Sequence, residues 1–307
     1  MILTRAKSGL AALSLALLAA CASPGVQVAA PVPAAPVEVA PSAKSVALSE
    51  YYAALQYQMR LRGLIRGAED SAAVPFSANA LAQNFEAIAL YDEYRPGQTG
   101  FRHSQTPSTL RRWAQPVRMS VEFGDTVPSA TRAADRAFIT KYATRLSAAS
   151  GHPIRMDSQN PNFLVLVVGE DDRPAFANRL RQFVPGISEN TVDSFLDLPR
   201  SILCLVYAFP GSRDNGAYDR AIAVIRAEHP GLLRQSCIHE ELAQGLGLAN
   251  DSPRARPSIF NDDEEFGFLT RHDELLLKML YDPRLSVGMR AEQARPIITT
   301  LAYELAG

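Results

Sequence analysis

The side chains best suited to chemistry lie in one segment, residues 237–251, where acidic and amide residues recur at helical spacing. Two leucines four residues apart and the absence of proline predict a helix that ends near Gly247. In the zinc motif HExxH, two histidines one helical turn apart bind the metal and the Glu acts as a base. Counted from His239 this motif fails, because Ala243 stands at the second ligand position.

Counted from Glu240, the segment matches a longer zinc motif, HExxHxxGxxH, in spacing, with all three histidines replaced. The matching residues are Glu240, Glu241, Gln244, Gly247 and Asn250. Two more segments follow, and here the chain resembles the zincin clan, especially its metzincin branch. Ser258-Ile259-Phe260-Asn261 stands where that branch has its Met-turn, and residues 269–281 look like its C-terminal helix.

Residues 240–251, the Met-turn segment and residues 272–289 also look like the uncharacterised family called domain of unknown function 2927. Counting similar segments farther upstream, that resemblance covers most of residues 61–289. It implies an α+β fold: a zincin-like mixed β-sheet with packed helices, an active-site-type helix and a small C-terminal helical subdomain. It implies no established activity.

Carried over residue by residue, the resemblance places Glu240, Gln244 and Asn250 at the ligand positions and Glu241 at the general-base position. Phe260 replaces the methionine of the Met-turn. Glutamate is a competent zinc ligand, whereas a neutral amide oxygen is a weak donor beside imidazole or thiolate. We therefore expect no bound cofactor.

Two alternatives to an empty zinc site remain open. Asp251 can replace Asn250 after a local shift, and the resulting oxygen ligands suit Ca²⁺ better than Zn²⁺. Alternatively, Glu240 and Gln244 are simply a polar helix face that lines the former cleft. A nearby histidine, His272, is better explained by helix capping, in which Thr270 and Asp273 form a capping box, than by metal binding.

The N-terminal residues predict export. Basic residues precede an apolar stretch over residues 10–20, as in a signal peptide. Leu18-Ala19-Ala20-Cys21 resembles the lipobox of bacterial lipoproteins, which implies that Cys21 is lipidated and that the protein faces the periplasm of the cell envelope. Ala22, in place of Asp, favours the outer membrane. The alternative is an ordinary signal peptide that happens to be followed by cysteine.

Proline recurs among Ala and Val after the lipobox, and such a composition predicts a semi-extended tether. No later apolar run approaches the roughly 20 residues that cross a bilayer. The expected organisation is a signal peptide (1–20), a tether (21–45), an N-terminal helical segment (46–110), a zincin-like domain (111–290) and a C-terminal helix (291–307).

Cys204 and Cys237 are the other two cysteines, and an oxidising periplasm lets them pair. A disulfide that closes a loop of this length would stabilise the protein by about 4 kcal/mol in the chain-entropy model. Cys204 lies in the predicted strand 202–207 and Cys237 at the start of the predicted helix, so the bridge would join the two. We expect both cysteines to be buried, with Cα atoms within about 7 Å of each other. A metal site or a reactive thiol is the alternative, but no CxxC is present.

Hydrophobic periodicity predicts a mixed α and β order after residue 46. The apolar run 163–168 indicates a central strand. The expected strands are 117–123, 154–156, 163–168, 202–207 and 221–226; the expected helices are 49–66, one after Ser77, 129–148 and 172–183; residues 95–109 are expected to form a surface loop.

The overall charge excludes one class of partner. Thirty-one Lys and Arg against 32 Asp and Glu give a net charge of −1, too little positive charge for nucleic-acid binding.

The lipobox and the replaced zinc ligands lead to two functional hypotheses. The first hypothesis is a lipid-anchored binding or scaffolding module that contacts a protein or peptide in the envelope. The second is an atypical metallopeptidase with Glu241 as its base.

Overall fold

The architecture of the protein follows from one strand in which every side chain is apolar. A computed structural model describes residues 39–97, 100–211, 216–261 and 263–307. In it, Phe163–Val168 is buried along its whole length, because both of its faces are covered. Phe163, Val165 and Val167 enter the larger hydrophobic core, and the three residues between and after them enter a second core on the opposite face.

Among the described residues, five strands form the main sheet, and two more form a separate antiparallel hairpin. The order across the main sheet is β4-β3-β5-β7-β6, with β6 antiparallel to its neighbour and the other strands parallel. The strands are β1 (Tyr91–Gly97), β2 (Gly100–Pro107), β3 (Val117–Phe123), β4 (Ile154–Met156), β5 (Phe163–Val168), β6 (Cys204–Pro210) and β7 (Tyr218–Arg226).

Nine helices occur in the described part of the chain, and they cover both faces of the sheet. Helices α5 and α6 cover the face of the second core, and the others that pack on the sheet cover the larger core. The helices are α1 (Ala43–Leu61), α2 (Ala68–Ser71), α3 (Ala78–Ala89), α4 (Ser129–Ser150), α5 (Arg173–Phe183), α6 (Glu189–Leu196), α7 (Gly231–Gln244), α8 (Arg271–Leu280) and α9 (Ala291–Ala306). The fold is thus mixed α+β.

The N-terminal end of α1 is fixed to the loops that follow strands β5 and β7. Ser42 caps the helix, and its hydroxyl donates a hydrogen bond of 2.6 Å to Asp171. One turn further on, the Ser45 hydroxyl donates to the buried carboxylate of Glu228 at 2.9 Å. The described residues, from Val39 to Gly307, form one compact unit. None of the described helices is both long enough and apolar enough to span a membrane.

Several predicted elements differ from the observed ones. Residues 95–109, predicted as a loop, lie largely in the β1–β2 hairpin. Proline and glycine misled the prediction, since a two-stranded ribbon has free edges where a missing N–H is tolerated. Helix α6 was not predicted, although Ser188 at its N-cap and the buried Val192 and Phe195 carry the signal. Helix α1 begins earlier than predicted, and β6 extends to Pro210.

Candidate functional site

Helix α7 carries the residues that the zinc motif singled out. The sequence predicted Cys237 at the start of this helix. The helix begins earlier, at Gly231, so Cys237 lies in its second turn. Two side chains hold its C-terminal end. Trp113 Nε1 donates to the carbonyl of Gly245 at 2.8 Å, and the Tyr281 hydroxyl donates to the carbonyl of Leu246 at 2.9 Å. Helix ends leave carbonyl groups without partners, and these bonds satisfy two of them.

The chain turns sharply at Gly247, as predicted. Its φ is +126°, and a Cβ at this position would lie 2.2 Å from the carbonyl oxygen of Arg111. No side chain fits this position without displacing the backbone, and a positive φ strains any residue with a Cβ. Gly247 therefore sets the direction in which the chain leaves α7.

The predicted disulfide between Cys204 and Cys237 is present, and it joins strand β6 to helix α7. The Cα atoms are 5.8 Å apart. Cys237 is buried, whereas Cys204 is only half-buried, so the prediction that both would be buried is correct for one of them. The bridge fixes the outer strand of the sheet against the second turn of α7.

Two carboxylates project from α7 beside this bridge. Ligand atoms of Glu240, Glu241 and Cys204 all lie within 4.8 Å of one another. The sulfur of Cys204 is 4.0 Å from Glu240 Oε2, but because it belongs to a disulfide it has no proton to donate and is not a thiolate. The cluster therefore offers a metal two carboxylates. Glu240 is half-buried, and Glu241 is buried, with an exposed fraction of 3 %.

The other two ligand positions are committed to the protein itself. Gln244 Nε2 donates to Asp251 Oδ1 at 3.2 Å. Asn250 Nδ2 donates to the carbonyl of Ala87 in α3 at 2.8 Å, and its backbone N–H donates to the carbonyl of Ile88 at 3.1 Å. Asn250 thus joins the turn after α7 to α3.

These residues do not fit a catalytic zinc ion. Zinc sites use imidazole, thiolate or carboxylate ligands, usually in tetrahedral geometry. Here one position holds a carboxylate, the second an amide paired with Asp251, and the third an amide bound to α3.

A tyrosine on β6, not singled out by the sequence, lies on the opposite face of the sheet, in the second core. Burial raises the pKa of Tyr207 to about 12, against the lowering effect of the hydrogen bond to Ser194 and with a smaller upward contribution from the negative charge of Glu241. Its hydroxyl lies 2.9 Å from Ser194 Oγ. Tyr207 is therefore an uncharged hydroxyl at neutral pH. The surface formed by β6 and by Glu240, Glu241 and Gln244 of α7 is called the α7 cleft below.

The Met-turn position belongs to the core rather than to the cleft surface. Phe260 is fully buried. The segment around it is fixed by Asp273, which accepts hydrogen bonds from Ser258 Oγ at 2.5 Å and from the backbone N–H of Thr270 at 2.8 Å. Thr270 and Asp273 form the predicted capping box at the start of α8. His272 is fully buried beside Asn84, with Nε2 at 3.1 Å from Asn84 Nδ2.

His239, which the motif test rejected, lies on a different side of α7. Its ring stacks on Tyr142 at a centroid distance of 3.8 Å, and its Nδ1 accepts a hydrogen bond of 2.9 Å from the Leu269 N–H. Burial, together with the positive charge of Arg145, lowers the pKa of His239 to about 3. Cys21, the predicted lipidation site, lies outside the described residues.

Comparison with known proteins gives one match. Residues 78–300 match the family model described as Protein of unknown function (DUF2927). No curated protein and no solved structure matches the chain. The match includes α3, the whole main sheet, α7 and the turn after it, and α8. Because it extends over more than half of the chain, the protein belongs to the DUF2927 family.

Proposed function

We propose that this protein is an envelope lipoprotein whose zincin-like domain is a non-catalytic binding module, with the α7 cleft as its contact surface. The zincin-like assignment is supported by the order of parts along the chain. A mixed sheet is followed by a helix packed against it, a glycine turn at Gly247 and a C-terminal helical part. These are the parts that the resemblance implies.

The proposal depends above all on one juxtaposition, that of an outer strand with an acidic helix face. Within the part of the chain that the structure describes, β6 pairs only with β7. An outer strand with unpaired backbone groups can accept an extended peptide as an added strand. The carboxylates of Glu240 and Glu241 lie beside Cys204 at the first residue of β6. The partner best matched to this surface is an extended segment with basic side chains.

In-cell photo-crosslinking tests the contact surface. A photoreactive amino acid at Val206, in β6, is expected to crosslink the full chain to a protein partner, whereas the same amino acid at Thr140, on the exposed face of α4, is not. Glu240→Lys reverses a cleft charge and should abolish the crosslink. Glu50→Lys, the same change on the exposed surface of α1, should leave it intact. Equal crosslinking in both charge variants contradicts the proposal.

A second candidate function is an atypical metallopeptidase in which Glu241 acts as a base. The observation that favours it is the proximity of the Glu240 and Glu241 carboxylates. Metal analysis after purification without chelator separates the two functions. The binding-module proposal expects less than one tenth of an equivalent of zinc, as an order-of-magnitude limit. Stoichiometric zinc, together with peptide hydrolysis that is lost in Glu241→Gln, would replace the proposal by the enzyme.

The lipoprotein part of the proposal has its own test. Cys21→Ala removes the thiol that would accept the lipid, so the variant should lose lipid labelling and move to the soluble fraction. Each buried CH₂ of an acyl chain contributes about 0.8 kcal/mol to membrane binding. Unchanged labelling and membrane partitioning of Cys21→Ala would contradict the anchor and leave the cleft proposal standing.

A further inference from the structure

A cavity of about 590 Å³ lies on the His239 side of helix α7, away from the α7 cleft. Its walls come from the end of α1, the segment that follows it, α4, α7 and Phe268. Cavities of this volume are in the usual range for small-molecule sites in proteins, about 300 to 1,000 Å³. We call it the α4–α7 cavity.

The inner wall of the α4–α7 cavity is aromatic. His239 stacks on Tyr142, and Phe268 meets the His239 ring edge to face at a centroid distance of 5.0 Å. Phe138 lies 5.5 Å from the same ring. Phe138 and Phe268 are only half-buried, so apolar ring surface remains open to the cavity. Such a wall suits a flat apolar group, which stacks against aromatic rings.

The histidine in this wall is a neutral hydrogen-bond donor. Because the Leu269 N–H already donates to Nδ1, the proton of the neutral ring must lie on Nε2. The low pKa of His239, about 3, keeps the ring in this form at neutral pH. An Nε2–H group binds an acceptor such as a carboxylate oxygen and gives nothing to a donor.

The outer border of the cavity carries cations. Arg60, near the end of α1, and Lys141, on α4, both border it and are exposed. Neither forms an ion pair with any residue that the structure describes, whereas Arg145, the third cation of the border, is paired with Glu274. Two acidic side chains, Glu69 and Asp70, also line the cavity, and Asp70 accepts a hydrogen bond from the Gly67 N–H at 3.1 Å. Arg60 and Lys141 are thus the two cations of the border without an ion pair to a described residue.

We infer that the α4–α7 cavity binds a small aromatic carboxylate. The ring of the ligand packs against Phe138 and Phe268, and its carboxylate lies between Lys141 and Arg60 with His239 as a donor. The two cations without ion pairs and the Nε2–H donor favour an anion over its neutral isostere at this end of the cavity, away from the carboxylates of Glu69 and Asp70. This site is independent of the α7 cleft and does not rest on the function proposed for it.

Binding of 2-naphthoate to the purified full chain, measured by calorimetry, tests this inference, with 2-naphthamide as a neutral ligand of the same shape. We expect one site that binds 2-naphthoate at least tenfold more tightly than 2-naphthamide, about 1.4 kcal/mol or more. The double variant Arg60→Gln, Lys141→Gln should lose that preference. The double variant Arg62→Gln, Lys278→Gln removes two exposed cations elsewhere and should keep it.

Imidazole nitrogen NMR shows whether the probe reaches His239. The Nε2 resonance, assigned by its loss in His239→Asn, should shift on addition of 2-naphthoate. Equal affinity for the two probes, undiminished binding by the Arg60 and Lys141 variant, an unmoved His239 resonance, or no binding of either probe would each overturn the inference.

Discussion

His239 and Glu240 are neighbours in the chain, but they belong to different sides of helix α7. His239 is buried, uncharged and stacked on Tyr142, and its environment is aromatic. Glu240 is half-buried next to Glu241 and the disulfide, and its environment is acidic. One helical step of about 100° separates the two side chains, which explains how one short segment serves two unlike surfaces. Adjacency in sequence therefore does not make His and Glu one chemical site here.

The largest effect on stability is expected when the disulfide that joins the cleft side of α7 to the sheet is removed. Replacing both Cys204 and Cys237 by alanine removes a bridge between residues 33 positions apart. We expect the free energy of unfolding to fall by about 4 kcal/mol, within the usual range of 2 to 5. Urea unfolding of the oxidised protein and the variant measures the difference. A loss below about 1 kcal/mol would show that α7 is held by its apolar side alone.

The next largest effect is expected at the turn that ends α7. Gly247→Ala places a Cβ against the Arg111 carbonyl at a residue with φ of +126°, so both strain and overlap oppose it. We expect a loss of about 3 kcal/mol in unfolding free energy. Gly151→Ala is the matched control, because its φ is +70° but no atom lies within 4 Å of the added Cβ. Equal losses in the two variants would contradict the role of the Arg111 contact.

The buried side of α7 should be sensitive to acid. The folded protein keeps His239 neutral down to about pH 3, whereas the unfolded chain protonates it near its ordinary pKa of 6.5. The unfolded state therefore binds more protons below about pH 6.5, and stability falls as the pH falls, by about 1.4 kcal/mol per pH unit from this residue.

The contribution of His239 to the pH dependence of stability is isolated by His239→Asn. This variant retains an acceptor for the Leu269 N–H but does not titrate. Between about pH 6.5 and pH 5 its stability should fall less steeply than that of the unmodified protein. Urea unfolding at several pH values gives both slopes. Parallel slopes would mean that protonation of His239 is not coupled to unfolding.

The smallest effect on stability is expected on the cleft side. Glu240→Gln keeps the shape of a half-buried side chain and removes a like charge beside Glu241, so unfolding free energy should change by less than about 1 kcal/mol. Thermal unfolding measures this, with Glu50→Gln on exposed α1 as the control. A larger loss would place Glu240 among the residues that hold the fold, which would weaken the contrast between the two sides.

The strands of the main sheet could be predicted wherever the hydrophobic pattern alone determines the secondary structure. The bounds of β3, β4 and β5 agree with the prediction, because alternation and a continuous apolar run leave one arrangement. The β1–β2 hairpin and α6 were missed, since their proline, glycine and polar residues indicate loops locally. Helix α7 begins earlier than expected because Pro230 and Gly231 hide its first turn.

The candidate site could be predicted only in part. The disulfide was predictable because Cys204 and Cys237 are the only cysteines besides Cys21, and the capping box was predictable from Thr270 and Asp273. The environment of His239 could not be predicted, because Tyr142 reaches it from α4, almost one hundred residues away in the chain.

The way in which α1 begins has a mechanical consequence. Ser42 and Ser45 bind Asp171 and Glu228, in the loops that follow strands β5 and β7. A pulling force applied to the chain before Val39 therefore enters the molecule at the middle of the sheet and not at a loose helix end. To peel α1 away, that force must break the contacts of Ser42 with Asp171 and of Lys44 with Glu170, and the buried hydrogen bond from Ser45 to Glu228. Load on the N-terminal side of the domain is thus carried first by contacts to the ends of two central strands.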